Sequence, residues 1–203
     1  MTPESGVLIV VSGPSGAGKG TVVRAVAEKC AGTFLSVSAT TRAPRPGEEE
    51  GVHYRFLERS AFEAMIAAGE LIEYAEYNGN YYGTPAGPVD ACLGRGENVI
   101  LEIETKGAAQ VKRRRDDAVL VFIMTPGWER LEHQLRGRGT ESEEVIMCRL
   151  AIAREELKLA DAYDYIVIND RVEDAAEELS AIILAERCRT VRRKDSICRD
   201  DTE

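Results

Sequence analysis

The sequence predicts an α/β fold: a parallel sheet covered by helices, carrying a small mixed α+β insert. Three observations carry this. Residues 7–11 (VLIVV) form a wholly apolar, β-branched run that leads into a glycine-rich loop and then a helical segment. Strand-like and helical segments alternate through most of the chain. Residues 39–84 break that alternation, with loop signals at Pro44, Pro46 and Gly47 and a hairpin signal at Asn78-Gly79.

The run at 7–11 suits a strand buried on both faces of a parallel sheet. A helix is expected over 21–30 and a second strand over 33–38. Apolar strands follow at 98–103 (NVILEI) and 118–124 (AVLVFIM), with a short last one at 165–168. Helices are expected at 85–93, 105–114, 126–135, 141–159 and 172–187. In the insert, a strand-like 54–57 precedes a helix at 60–68 with Ser60 as its N-cap. Residues 71–77 form a strand that ends at the hairpin turn. The implied organisation is a core of 1–38 and 85–190, an insert of 39–84, and a polar tail of 191–203. From 187 onward the mixed charge reads as a frayed helix end and a disordered tail.

Bulk properties narrow the function classes. The 203 residues suffice for one well-buried domain. The net charge of −9 argues against duplex nucleic acid or an anionic membrane as a general partner. Five cysteines (30, 92, 148, 188 and 198) include no C-x-x-C pair, which fits reduced thiols better than disulfides or a zinc site. Residues 1–6 lack the basic and apolar pattern of a signal peptide, and no apolar run approaches the roughly 18 residues of a membrane span. A cytoplasmic location is expected.

The loop Gly13-Pro14-Ser15-Gly16-Ala17-Gly18-Lys19-Gly20-Thr21 follows the first strand and opens the first helix. That context makes it a phosphate-binding loop. Its backbone N–H groups must converge on one anion, which needs conformations that side chains obstruct. The helix N-terminus adds partial positive charge, and Lys19 supplies a mobile cation for the β- and γ-phosphates. The usual motif has Ser or Thr directly after the lysine; here Gly20 and then Thr21 follow. Either the Thr21 hydroxyl reaches a magnesium ion or a phosphate from one position along, or a water bridges.

Beyond the loop, the order Ser38-Ala-Thr-Thr-Arg42-Ala-Pro-Arg45-Pro-Gly47, Tyr54, Glu73 and Asn80-Tyr-Tyr82-Gly-Thr84 resembles guanylate kinase, from about residue 7 to 186. The resemblance implies a P-loop NTPase core, a GMP-binding insert and a mobile lid at about 136–149. It implies transfer of the γ-phosphoryl group of ATP to GMP in purine nucleotide metabolism, with Mg2+. ATP and GMP would be the partners, without nucleic acid or membrane.

The resemblance places Arg42, Arg45, Tyr54 and Tyr82 around the GMP phosphate. Guanidinium forks and phenol donors suit that anion. It assigns guanine to Ser38, Glu73, Thr84 and Glu104. A carboxylate accepts from both N1–H and the 2-amino group of guanine, whereas adenine offers an acceptor at N1. Glu102 and Glu104 stand where the family often has aspartates, and Lys106 where it often has glutamine. Arg138 and Arg149 resemble lid arginines that swing onto the transferring group, and Asn169-Asp170 the segment touching the ATP adenine. Lys19, Arg42, Arg138 and Arg149 are the expected catalytic cations.

The attacking GMP phosphate is largely ionised at neutral pH, its second pKa lying near ~6, so no general base is required. His53 and His133 accordingly read as surface or packing residues. Glu48–Glu50 read as a solvated loop, residues 112–115 as cations at a helix C-terminus, and Trp128 as a packing residue. Two rival readings are an inactive guanylate-kinase-like protein-binding module and a related kinase for another phosphorylated acceptor. A GTPase would need an Asn-Lys-x-Asp motif, which the chain lacks.

Overall fold

The structure, a computed structural model, describes residues 6–137 and 142–193. The chain opens with β1 (Leu8–Ser12), α1 (Lys19–Lys29) and β2 (Thr33–Leu35). The inserted segment contains β3 (Ala39–Thr40), β4 (Arg55–Phe56), α2 (Arg59–Ala68), β5 (Leu71–Tyr77) and β6 (Asn80–Pro85). Then come α3 (Ala86–Gly94), β7 (Asn98–Glu102), α4 (Thr105–Arg114), β8 (Val119–Met124) and α5 (Trp128–Arg136). The chain continues through α6 (Glu143–Leu157), β9 (Tyr165–Ile168) and α7 (Val172–Arg187).

Five strands form a parallel sheet in the order β2-β7-β1-β8-β9. Its central strand explains the apolar run. Val7, Ile9 and Val11 pack with Val22, Val23, Val26 and Leu179 of α1 and α7. Leu8 and Val10, facing the other way, pack with Val89, Leu93, Ala108 and Val111 of α3 and α4. A strand covered by helices on both faces has no solvent side, so residues 7–11 carry no polar alternation, and the first polar side chain is Ser12 at the strand's end.

The second sheet is mixed, in the order β4-β3-β6-β5, with β3–β4 parallel and the other pairs antiparallel. The β5–β6 hairpin turns at Asn78 (φ 49°) and Gly79 (φ 75°), both left-handed as a tight two-residue turn requires. Phe62 of α2 stacks on Tyr81 at 5.3 Å and fills a small core with Ala39 and Leu71. Helix α4 ties the two sheets together. Gln110 Nε2 donates to the Tyr74 carbonyl at 2.9 Å, and Arg114 Nη1 donates to those of Leu71 and Ile72 at 2.6 and 3.1 Å.

Three expectations need correction. Glu58, not Ser60, is the N-cap of α2, with extended backbone at φ −63° and ψ 148°. Ser60 lies inside the first turn, where Arg59 already pairs with Glu63 four residues on. The second strand stops at Leu35, because the chain then turns from the parallel sheet into β3. The segment after α7 is docked through residue 193. Arg192 Nη2 donates to the Asp117 carbonyl at 2.8 Å, next to a 3-10 turn at Thr190–Arg192. The rest of the expected tail, 194–203, lies outside the described residues.

Candidate active site

β1 delivers the chain into the glycine-rich loop. Gly13 has φ 140°, and a Cβ there would lie 2.0 Å from the Ile123 carbonyl oxygen of β8. Gly18 has φ 80° and caps α1, and a Cβ would lie 2.4 Å from Asn169 Nδ2. The loop is thus pressed against β8 and the end of β9, with room for backbone alone. Pro14, Ser15, Gly16 and Ala17 complete the curl between these glycines. α1 begins at Lys19 with no acidic residue in its first turn, so its terminal charge stays available to an anion. Lys19 Nζ folds back onto the Gly13 and Pro14 carbonyls at 2.6 and 3.1 Å. Thr21 is exposed on the first turn.

Asn169 is buried, and its Nδ2 donates to the Ala17 carbonyl at 2.8 Å, so it props the loop from below; Asp170 beside it is exposed. Arg149 of α6 donates from Nη2 to Ser15 Oγ at 2.6 Å, bringing a cation of that helix onto the loop. Arg138 lies outside the described residues, as do residues 139–141 of the expected lid.

A cavity of about 280 Å³ lies between the two sheets, lined among others by Ser38, Tyr54, Glu73, Tyr82, Glu102 and Glu104. Glu73 is 5% exposed and accepts from Thr84 Oγ1 at 2.8 Å. Burial pushes its pKa up, the Thr84 hydroxyl opposes that, and Glu104 adds to it. Thr84 is itself 1% exposed and sits behind the carboxylate. Gly107 makes the arrangement possible: a Cβ there would lie 2.8 Å from Glu73 Oε2. Glu102 ends β7 and is open to the cleft; the surrounding walls raise its pKa, while Lys19 and Arg24 lower it.

The cationic rim is built on the loop after β3. Arg42 donates from Nη1 to the Ala43 carbonyl at 2.7 Å, and its guanidinium lies 5.5 Å from the Tyr54 ring centre. The Tyr54 and Tyr82 rings meet edge-on at 6.1 Å. Glu48 corrects the expectation of a solvated acidic loop. Its Oε1 accepts from Arg42 Nη2, and its Oε2 from the Arg45 backbone N–H, both at 2.8 Å. Arg42 foremost, then the Arg45 amide, hold the carboxyl down to about 2. The Arg45 residue is exposed, away from the cavity lining. Ser38, Tyr54, Glu73, Tyr82 and Glu104 thus line one cavity, with Thr84 behind Glu73 and Arg42 against Tyr54, while Arg45 lies outside the lining. Glu48 and Gly107 escaped the sequence reading. The one signal for Glu48 was its place just after the Pro46-Gly47 turn, where the chain returns on Arg45.

The family model described as guanylate kinase matches residues 5–186, a span that contains both the loop and the cavity. The chain belongs to the guanylate kinase family. Guanylate kinase of Carboxydothermus hydrogenoformans is 50% identical over 189 residues, covering 93% of each chain. That of Clostridium perfringens (strain SM101 / Type A) is 49% identical over 192 residues, covering 95% of this chain and 89% of the relative. The crystal structure of guanylate kinase from Anaplasma phagocytophilum superposes with a TM-score of 0.75 at 35% identity, covering 94% of this chain and 91% of that one. The parallel sheet and its helices therefore form the P-loop core of a guanylate kinase. Neither an inactive binding module nor a kinase for another acceptor is favoured by these likenesses.

His53, Trp128 and residues 112–115 have ordinary roles. His53 is exposed and accepts from the Glu49 N–H at 3.1 Å. Trp128 packs beside Leu131 and Leu135 under the Arg154 guanidinium, 4.7 Å from its ring. Lys112, Arg113 and Arg114 close the last turn of α4, where cations favour the dipole.

Proposed function

We infer that the chain is an ATP:GMP phosphotransferase that turns GMP and ATP into GDP and ADP, with ATP on the loop at 13–21 and GMP in the cavity. Glu73 is the observation that carries the acceptor assignment. Its carboxylate is buried, pinned by Thr84, and part of the cavity wall. Guanine answers it with two adjacent donors, N1–H and the 2-amino group. Adenine would leave it partly unpaired, at a cost of about 1–3 kcal/mol. Ser38 and Glu104 border the same base. Arg42, Tyr54 and Tyr82 hold the GMP phosphate from the rim, joined by Arg45.

Two polyanions must then meet in line. Lys19, Arg42, Arg138 and Arg149 offset their repulsion, and the amide dipoles of the loop hold the triphosphate. Asn169 supports the loop, and Asp170 lies toward the adenine end. An oxygen of the GMP phosphate is the nucleophile, so the protein positions it rather than deprotonating it. Closure of residues 39–84 and of a lid at about 136–149 over the core, 1–38 and 85–190, excludes water that would compete as acceptor.

Magnesium fits the oxygen donors at the mouth of the loop. The Thr21 hydroxyl and the phosphate oxygens of the nucleotide would hold it, and it would spread the negative charge of the transferring group. We place the protein in the cytoplasm. Cys30, Cys92, Cys148 and Cys188 are free thiols, and among the described residues no helix is long and apolar enough to cross a membrane.

A coupled assay with ATP and a panel of nucleoside monophosphates tests the assignment. GMP is expected to be strongly preferred. Equal rates with AMP would overturn the guanine reading.

A further inference from the structure

Helix α6 brings two charges of opposite sign to one residue of the phosphate loop. Arg149 donates to the Ser15 side chain at 2.6 Å. Glu156 follows on the same helix, two turns further along the same face. Its carboxylate faces the Ser15 backbone N–H and the Lys19 charge. Among the described residues no backbone carbonyl takes that N–H. Glu156 Oε2 is shut off from solvent and accepts no hydrogen bond among the same residues. Burial pushes the carboxyl pKa up; Lys19 first, and then the Ser15 N–H, oppose that, while Glu104 adds to it. A carboxylate with an idle buried oxygen is costly to keep. This one stands where the donors of the loop attract an anion.

We propose that Glu156 is the internal anion of the unliganded phosphate loop, and that the terminal phosphate of ATP displaces it. Both anions answer the same two groups, the Ser15 N–H and the Lys19 ammonium. Like charges share such a field only at a cost. A terminal phosphate there attracts Arg149 and repels Glu156, so an empty loop and an occupied one favour different seatings of α6. The carboxylate balances Lys19 while the loop is empty and lowers the affinity for ATP by the strength of its own contact. The inference rests on the assignment of ATP to the loop.

The test is calorimetry of ATP and of inorganic tripolyphosphate binding to the full chain, with Mg2+ present and GMP absent. Glu156→Gln, which removes the charge and keeps the shape, should tighten both by about 3–10-fold. Glu156→Ala should show a gain of the same sign and serves as the second variant, with folding of each checked by a thermal melt. GMP, titrated alone, should bind as before. Unchanged or weaker ATP binding by a folded variant would mean that the carboxylate supports the loop, and would overturn the proposal while leaving ATP on the loop. An equal gain for GMP would mean a general shift of charge and overturn it too. No ATP binding by the unaltered protein would remove both the proposal and the assignment of ATP.

Discussion

The Arg42 guanidinium and the Glu48 carboxylate form a 2.8 Å ion pair in which the two side chains are 15% and 17% exposed. Glu48 also takes the Arg45 N–H, so one carboxylate shapes both arginine positions. The rim is thus preformed around an internal anion. Glu48→Gln is expected to raise KM for GMP about tenfold, with a smaller change in kcat, as one charge-assisted contact is weakened. Steady-state kinetics measure this, and inhibition by guanosine, which lacks the phosphate, should not change. The Glu48 pKa is depressed to about 2, so what the pair contributes to stability is present above the ordinary carboxylate value and is lost as pH falls toward about 2.

Lys19→Ala should leave the thermal transition nearly unchanged, since Nζ donates to the Gly13 and Pro14 carbonyls of the loop itself rather than tying it to the core. Turnover should fall by about 10³, the scale of a lost cation or oxyanion donor in a transition state. A coupled assay beside a thermal melt separates the two effects. Near-normal turnover would end the proposed role of the lysine.

Glu73→Gln should stabilise the fold while harming selection. Burial raises the Glu73 pKa, so the folded state favours the protonated carboxyl. That favourable contribution is full below the ordinary carboxylate value and is lost as pH rises through the raised one. At neutral pH the ionised group therefore strains the fold, and the amide relieves it. Melting temperature should rise at pH 7, with the gain shrinking toward pH 4. The ratio of GMP to AMP turnover should drop by about 10-fold or more.

Gly107→Ala offers a contrast with ordinary helix behaviour. Within a helix, alanine is favoured over glycine by about 1 kcal/mol. Here the added carbon would lie 2.8 Å from Glu73 Oε2 and 3.3 Å from Ile103 Cδ1. The usual gain should vanish and KM for GMP should rise. A melt together with GMP kinetics checks both, and a stabilised variant with unchanged KM would show that the carboxylate has other room.

What the sequence made legible was local. The buried run at 7–11 has the same meaning wherever helices cover both faces of a strand, and Asn78-Gly79 names its own turn. The glycines of the loop carry their chemistry in their spacing. What escaped depended on the folded chain. Glu48 looks like one of three solvated acids until the turn at Pro46-Gly47 brings it back to Arg42 and Arg45. Gly107 gains its meaning from Glu73, on a strand of the other sheet. Arg192 looks like tail until it meets Asp117. The Ser60 cap failed because capping preference is a one-residue rule, while the Arg59–Glu63 pair started the helix earlier.

The grip of α4 on β5 has a mechanical consequence. Gln110 and Arg114 bolt the backbone at Leu71, Ile72 and Tyr74 to the large sheet, and Glu73 lies between those bolts. The wall that carries Glu73 is therefore the anvil of the molecule. The arginine-bearing loop, at the far side of the smaller sheet, has no such hydrogen bond to α4 among the described residues.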